Sequence, residues 1–381
     1  MRIIVNGWFW DQPGTGSGQY LRGLLPAMAQ QTPEHEIRVC LPAGAEGGDL
    51  PTGGAHWVLT PWDRFSHNIA KVWFEQIAFP HAARRLGADV AHVPYWGSSL
   101  WPGVPTVVTL HDLIPRILPA YRGSPLVRLY TRLVSRAVHQ AAQVVCDSEA
   151  SRRDALEWLQ LDPARVHTTY LAVGEEFSPE AGPADAEVRA RHGLPGRYVL
   201  YLGGHDVRKN VEGAIRAFAT VARADADVSL VVGGQLPDRS AGVLVDPRPL
   251  VADLGLEAEV RFVGWVPEED KPSLYRGAAC FLFPSYYEGF GLPVLEALAS
   301  GTPVVTSECA SLPELVGPAG YTVAPDDLNG LAGAILSILV DDSLAADLAE
   351  RGPAQAARFS WRQTAEQTLA AYTRAMANRV S

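Results

Sequence analysis

The chain has 381 residues, 47% of them hydrophobic and 19% charged, a balance that excludes disorder and implies more than one domain. Its net charge is −10, from 32 basic and 42 acidic residues, which makes it a poor generic partner for nucleic acid, whose phosphates demand a basic surface. Cys40, Cys146, Cys280 and Cys309 form no CxxC pair for zinc or a redox disulfide, and four such thiols fit a reducing cytoplasm. The start, MRIIVNGWFW, lacks the apolar core of a signal peptide, and the longest uncharged run, Ala91–His111, is broken by Pro94, Pro102 and Pro105.

Short apolar runs alternate with helical patterns along the chain. Strands are expected at Arg2–Asn6, Glu36–Leu41, Ala88–Val93, Pro105–Leu110, Gln143–Asp147 and Val166–Tyr170. A second series follows at Tyr198–Gly203, Val228–Gly233, Val260–Gly264, Cys280–Phe283, Pro303–Thr306 and Tyr321–Val323. Helices are expected at Gly18–Gln30, Asn68–Leu86, Leu126–Gln140, Val211–Val221 and Leu292–Ala299. Continuous apolar strands alternating with helices imply parallel sheets buried on both faces and built from right-handed βαβ units.

Twelve strands are too many for one open sheet, and Glu175–Pro183 interrupts the pattern with Pro, Gly and acids. The expectation is therefore two doubly wound α/β domains, residues 1–175 and 176–360. The last segment, 361–381, has no strand after it and can pack back on either. Ligands of such sheets bind beyond the carboxyl ends of the strands, so the expected site is the cleft between the domains.

After the strand Cys280–Phe283, Pro284–Ser307 reads PSYYEGFGLPVLEALASGTPVVTS. Gly289 and Gly291 allow close backbone approach to a ligand, and the following helix start suits a phosphate. Glu288 and Glu296, eight apart, suit sugar hydroxyls, though either alone reads equally as an acid stabilising a helix start. Arg208 and Lys209 follow Tyr198–Gly203 directly, either as solvated cations or as fixed charge for a departing phosphate. His111 ends the Pro105–Leu110 strand, where a packed structural histidine is the alternative.

This stretch resembles the E-x7-E signature of retaining glycosyltransferases of family 4, enzymes of the GT-B fold that use nucleotide-sugar donors. Gly14-Thr15-Gly16-Ser17-Gly18-Gln19-Tyr20 resembles the family's first glycine-rich loop, His111-Asp112 its His-Asp step, Arg208-Lys209-Asn210 its Arg-Lys-Asn turn, and Trp361 the tryptophan opening its terminal helix. The resemblance implies that Glu288 meets the donor hexose and Glu296 the ribose. It implies that the N–H groups of Gly289, Phe290, Gly291 and Leu292 face the sugar and β-phosphate, with Gly16 also at the donor. It implies that Lys209 stabilises the leaving diphosphate and that His111 lies near the reacting centre. The chain reads Gly203-Gly204-His205 where many members carry an arginine after the glycine, so Arg208 either substitutes for that residue or leaves the phosphate less tightly held.

The glycine-rich loop lacks the GxGxxG spacing, and the second strand ends Cys40-Leu41-Pro42 without a ribose-binding acid, which disfavours a nicotinamide enzyme. Asp225-Ala226-Asp227 spells a D-x-D triplet but precedes its strand, away from the expected cleft, so no catalytic metal is expected. Seven of ten tryptophans precede residue 102: Trp8, Trp10, Trp57, Trp62, Trp73, Trp96 and Trp101. Trp8, Trp10 and Trp96 lie in loops after strands and are candidates for stacking on a saccharide acceptor, core packing being the alternative. Leu113–Cys146 holds five arginines and no acid. Of these, Arg128, Arg132 and Arg136 form one helical ridge, read either as an ordinary solvated face or as peripheral contact with anionic lipid or a phosphate-bearing acceptor.

The expected activity is metal-independent transfer of a hexose, with retention and by front-face attack, from a nucleotide-diphosphate sugar to a saccharide or lipid-linked acceptor. No cofactor is expected, and the Arg-Lys-Asn variant leans toward GDP-mannose. The rival readings are a GT-B-fold nucleotide-sugar epimerase and a non-catalytic sugar-nucleotide-binding protein.

Overall fold

The computed structural model describes residues 1–51, 54–61 and 66–377. The chain divides into two compact units, Met1–Leu171 with the segment from Ser360 onward, and Ala172–Phe359.

The first unit is a seven-stranded parallel sheet: β1 (Arg2–Asn6), β2 (Glu36–Pro42), β3 (Ala55–Val58), β4 (Val90–Val93), β5 (Thr106–Leu110), β6 (Gln143–Cys146) and β7 (Val166–Thr168), in the order β3-β2-β1-β4-β5-β6-β7. The second is a six-stranded parallel sheet of β8 (Arg197–Leu202), β9 (Val228–Gly233), β10 (Val260–Gly264), β11 (Cys280–Phe283), β12 (Val304–Ser307) and β13 (Gly320–Val323), in the order β10-β9-β8-β11-β12-β13. Strand order reverses between β1 and β4 and again between β8 and β11. Those switch points are where a doubly wound sheet opens a crevice for a ligand.

β5, β6 and β11 are buried at every residue, as strands covered by helices on both faces must be. β3 was not expected: its four residues, Ala-His-Trp-Val, form a partly exposed edge strand, too short and too polar for an apolar run. The helix expected at Asn68–Leu86 is three pieces, His67–Trp73, a π-turn at Phe74–Ala78 and Phe79–Arg85. The Phe79 N–H bonds the Phe74 carbonyl five residues back, and Pro80 next to it has no N–H to continue an ordinary ladder.

The helix Trp361–Ala377 packs within the first unit. A side chain at Gly23 would strike the Trp361 ring, so glycine there admits the helix. Thr364 Oγ1 donates to the Tyr170 carbonyl at 2.7 Å, and the Tyr372 hydroxyl lies 2.7 Å from His92 Nδ1.

Candidate functional site

In the second unit, the loop after β8 and the loop after β11 meet at the switch point through one asparagine. Asn210 takes a left-handed conformation (φ 54°, ψ 43°) and caps the helix Val211–Ala224 by accepting from Gly213 N–H. Asparagine tolerates that conformation better than most residues. Its amide nitrogen donates to the carbonyls of Pro284 and Pro325, both at 3.0 Å. Asn210 therefore pins three loops together, which is the physical content of the Arg-Lys-Asn turn.

Glu288 is buried and accepts from both cations of that turn: Lys209 Nζ is 2.8 Å from its Oε1, and Arg208 Nη1 is 2.8 Å from its Oε2. Ser285 Oγ donates to the same Oε1 at 2.7 Å. Burial would raise the Glu288 pKa, but Lys209 and Arg208 outweigh it and hold the carboxyl below its ordinary value. Lys209 Nζ also sits 4.8 Å above the Phe283 ring. Asp206 Oδ1 lies 3.5 Å from Arg208 Nε, so the two cations are balanced by two carboxylates, and their N–H donors are held in place for an anionic group.

The helix Leu292–Ala299 begins on Gly291 (φ 114°), with no side-chain cap. Added there, a Cβ would lie 2.7 Å from Leu312 Cδ2, so glycine is required on two counts. Ser311 Oγ donates to the Glu288 carbonyl at 2.9 Å and also meets that of Phe290, fixing the Glu288-Gly289-Phe290 turn. The Phe290 ring is buried, edge-on to Phe359, so it anchors the loop. Glu296, five residues into the helix, is buried and accepts from the Tyr275 hydroxyl at 2.8 Å. Burial raises its pKa against the pull of Lys271. The two environments thus push in opposite directions, Glu288 below and Glu296 above the ordinary carboxyl value, although their spacing suggests a matched pair.

Sequence reasoning noted His205 only as a departure. It is 2% exposed, and neither ring nitrogen has a hydrogen-bond partner among the described residues. Burial lowers its pKa, keeping it neutral. Next to it, Gly234 (φ 138°) approaches so closely that a Cβ would lie 2.1 Å from the Gly203 carbonyl oxygen. A buried polar group without a partner at the end of a central strand is a candidate ligand contact.

In the first unit, His111 follows β5. Its Nδ1 lies 2.6 Å from Asp147 Oδ2 and its Nε2 3.0 Å from the Pro94 carbonyl. A carboxylate and a carbonyl are both acceptors, an arrangement that suits a proton on each ring nitrogen. Burial works against that charge, but Asp147 overrides it and the pKa is raised. Asp147 therefore favours the charged form of His111 and fixes the orientation of its ring. Asp147, immediately after β6, was missed as a partner; its place at a strand end was the available signal.

Trp10 is the most enclosed of the three acceptor candidates. It is buried, its indole N–H donates to the Gly48 carbonyl at 3.0 Å, and the Arg22 guanidinium lies 4.7 Å from its ring. Trp8 is buried against Phe74 and His67, and Trp96 is half-buried against the same core; neither indole N–H has a partner among the described residues. Trp62 lies outside the described residues. Gly16 opens the helix Gly16–Gln31 with open space around it, whereas Gly18 is sterically required, a Cβ there lying 2.1 Å from the Gln12 carbonyl oxygen. The loop's strict glycine is Gly18.

Asp225 Oδ2 is 2.8 Å from Arg197 Nη1, and the triplet it opens stands at the amino end of β9. Arg128, Arg132 and Arg136 are exposed on the helix Pro125–Ala137. No helix among the described residues is long and apolar enough to cross a membrane.

Two Rossmann-like units with a cationic, glycine-cornered site at the β8/β11 switch point describe the GT-B class of glycosyltransferase. The family model described as glycosyltransferase family 4 matches residues 14–177, and the one described as glycosyl transferases group 1 matches residues 185–355. O-antigen chain mannosyltransferase B of Escherichia coli is 34% identical over 70% of this chain and 69% of that protein. Serotype-specific mannosyltransferase WbdA of Escherichia coli is 29% identical over 71% of this chain, which spans 33% of that longer protein. Sucrose-phosphate synthase from Thermosynechococcus elongatus shares the fold with a TM-score of 0.78 over 99% of this chain and 100% of that one, at 24% identity. WaaG, a glycosyltransferase of lipopolysaccharide biosynthesis, does so with a TM-score of 0.71 over 97% and 98%, at 18% identity. The chain belongs to this family of family-4-like glycosyltransferases and is an enzyme of that class.

Proposed function

We propose that the chain is a retaining, metal-independent mannosyltransferase that moves mannose from GDP-mannose to a saccharide or lipid-linked acceptor. The observation carrying this reading is the Arg208–Lys209–Glu288 cluster beside the uncapped helix at Leu292. Its two cations, held in place by Glu288 and Asp206, would meet the donor diphosphate and the charge growing on the leaving phosphate. Glu288, spanned by two cations and a hydroxyl, is poorly disposed to act as a covalent nucleophile, which favours front-face attack with the leaving phosphate oxygen taking the acceptor proton. The preference for mannose draws on the mannosyltransferases among the relatives. Unpaired cysteines at all four positions suit action in the cytoplasm. Peripheral membrane contact through Arg128, Arg132 and Arg136 belongs to the same reading, since exposed Leu126 and Leu129 lie beside them.

A thermal-shift panel of nucleotide sugars, followed by release of nucleoside diphosphate with a saccharide acceptor panel, tests it. GDP-mannose should raise the melting temperature, as any ligand bound only by the folded state does, and K209A should abolish the shift. No shift with any nucleotide sugar would refute the reading, and a shift with UDP-glucose alone would overturn the donor assignment.

A further inference from the structure

The first unit holds a second concentration of positive charge that the donor site does not use. A cavity of about 350 Å³ is lined by Pro115, Arg116, Arg122, Arg128, Thr131, Arg132 and Trp158. The four arginines reach its lining from three places: Arg116 from the short helix Ile114–Ile117, Arg122 from the turn after Pro119–Tyr121, and Arg128 with Arg132 from one ridge of Pro125–Ala137. Arg116 Nη2 donates to the Trp158 carbonyl at 3.1 Å, and Arg128 Nη1 to the Gly123 carbonyl at 3.1 Å. Each bond orients a planar fork while using one of its five N–H donors. No acid lines the cavity, and none of the four arginines is in an ion pair with a carboxylate among the described residues.

Like charges gathered without a counter-charge repel one another, and in a chain of net charge −10 carboxylates to disperse them are plentiful. We propose that this cavity, lined by residues of the first unit alone, is a binding site for a phosphate group. Guanidinium forks match the oxygens of a phosphate in pairs. The space exceeds what a bare ion fills, so part of the molecule carrying the phosphate enters with it, against the Trp158 ring. Two sources share this chemistry. One is a lipid headgroup, for which exposed Leu126, Val127 and Leu129 on the same helix supply an apolar margin. The other is a phosphorylated small molecule free in solution.

The test uses the full chain, its R122Q/R132Q and R122K/R132K variants, and K209Q as a control for the donor site. Inorganic phosphate is titrated calorimetrically, and flotation is measured with vesicles of phosphatidylglycerol and of phosphatidylcholine. Phosphate affinity that survives K209Q but drops about tenfold or more in R122Q/R132Q supports the site with a soluble source. Flotation with phosphatidylglycerol alone, lost in R122Q/R132Q, supports it with a lipid source. The lysine variant should recover part of either signal by restoring charge. The proposal is overturned if R122Q/R132Q matches the wild type in both arms, if the wild type binds neither probe, or if flotation is equal on both lipids with no phosphate binding.

Discussion

Glutamine at position 288 keeps the size of Glu288 and one acceptor oxygen but removes the charge that joins Lys209 to Arg208. In the native protein that carboxylate is 7% exposed, and its two cationic partners each stand 2.8 Å away. Deleting one member of a buried ion pair costs about 3–5 kcal/mol because the other charge is left behind. Glutamine can still accept from one cation, and both retain some access to water, so a loss of about 2 kcal/mol is expected for E288Q. For a unit of this size that is a fall of about 4–8 °C in melting temperature, measured by calorimetry at pH 7. The pH dependence supplies the sharper check. Because the folded pKa of Glu288 lies below its ordinary 4.5, its contribution is complete above 4.5 and is lost as pH falls through the lower, folded value. Wild type and E288Q should therefore converge in acid. Equal melting temperatures at pH 7, or curves that stay parallel down to low pH, would refute the assignment of Glu288 as the counter-ion of this corner.

Three further outcomes follow from the geometry. In D147N the main opposition to burial is lost and only Asp112 and the Pro94 carbonyl still favour the charged ring, so the His111 pKa should fall from its wild-type value. In the wild type the ring is charged below its raised pKa and loses both charge and stabilisation as pH rises through it. The alkaline limb of a pH–rate profile should therefore move to lower pH in D147N, and an unmoved limb would show that the imidazolium is not used. G291A should cost about 1–3 kcal/mol by denaturant melting, since alanine must hold a strained φ beside Leu312, whereas G16A, with open space around it, should be neutral or slightly stabilising. H205L removes two buried nitrogens that lack partners, so it should stabilise the unliganded enzyme while weakening donor binding. A lower melting temperature together with unchanged donor affinity would show that His205 is a packing residue alone.

Much of this protein was written along its chain in local terms. Runs of Val, Ile, Leu and Phe bounded by turns mark strands such as β1, β9 and β11 because a strand buried on both faces must be apolar throughout. The glycines and acids after Phe283, with the Arg-Lys-Asn turn, mark the candidate site because their chemistry sits within short stretches. β3 escaped because an edge strand need not be apolar, and the π-turn at Phe74–Ala78 escaped because hydrophobic periodicity does not register one extra residue in a helix.

What the tertiary structure alone decided are the partnerships between residues far apart in the chain. Asp147 raises the pKa of His111 from 36 residues away, and Asn210 reaches Pro284 and Pro325 across 74 and 115 residues. Gly48 and Arg22 engage Trp10, while among the described residues no hydrogen-bond partner reaches the nitrogens of His205. Arg116, Arg122, Arg128 and Arg132 read as a scattered run until the chain folds them around one cavity. Local propensity and patterning depend on near neighbours and can be read in order; the charge state of a buried side chain depends on whatever the fold sets against it, and only the folded chain specifies that.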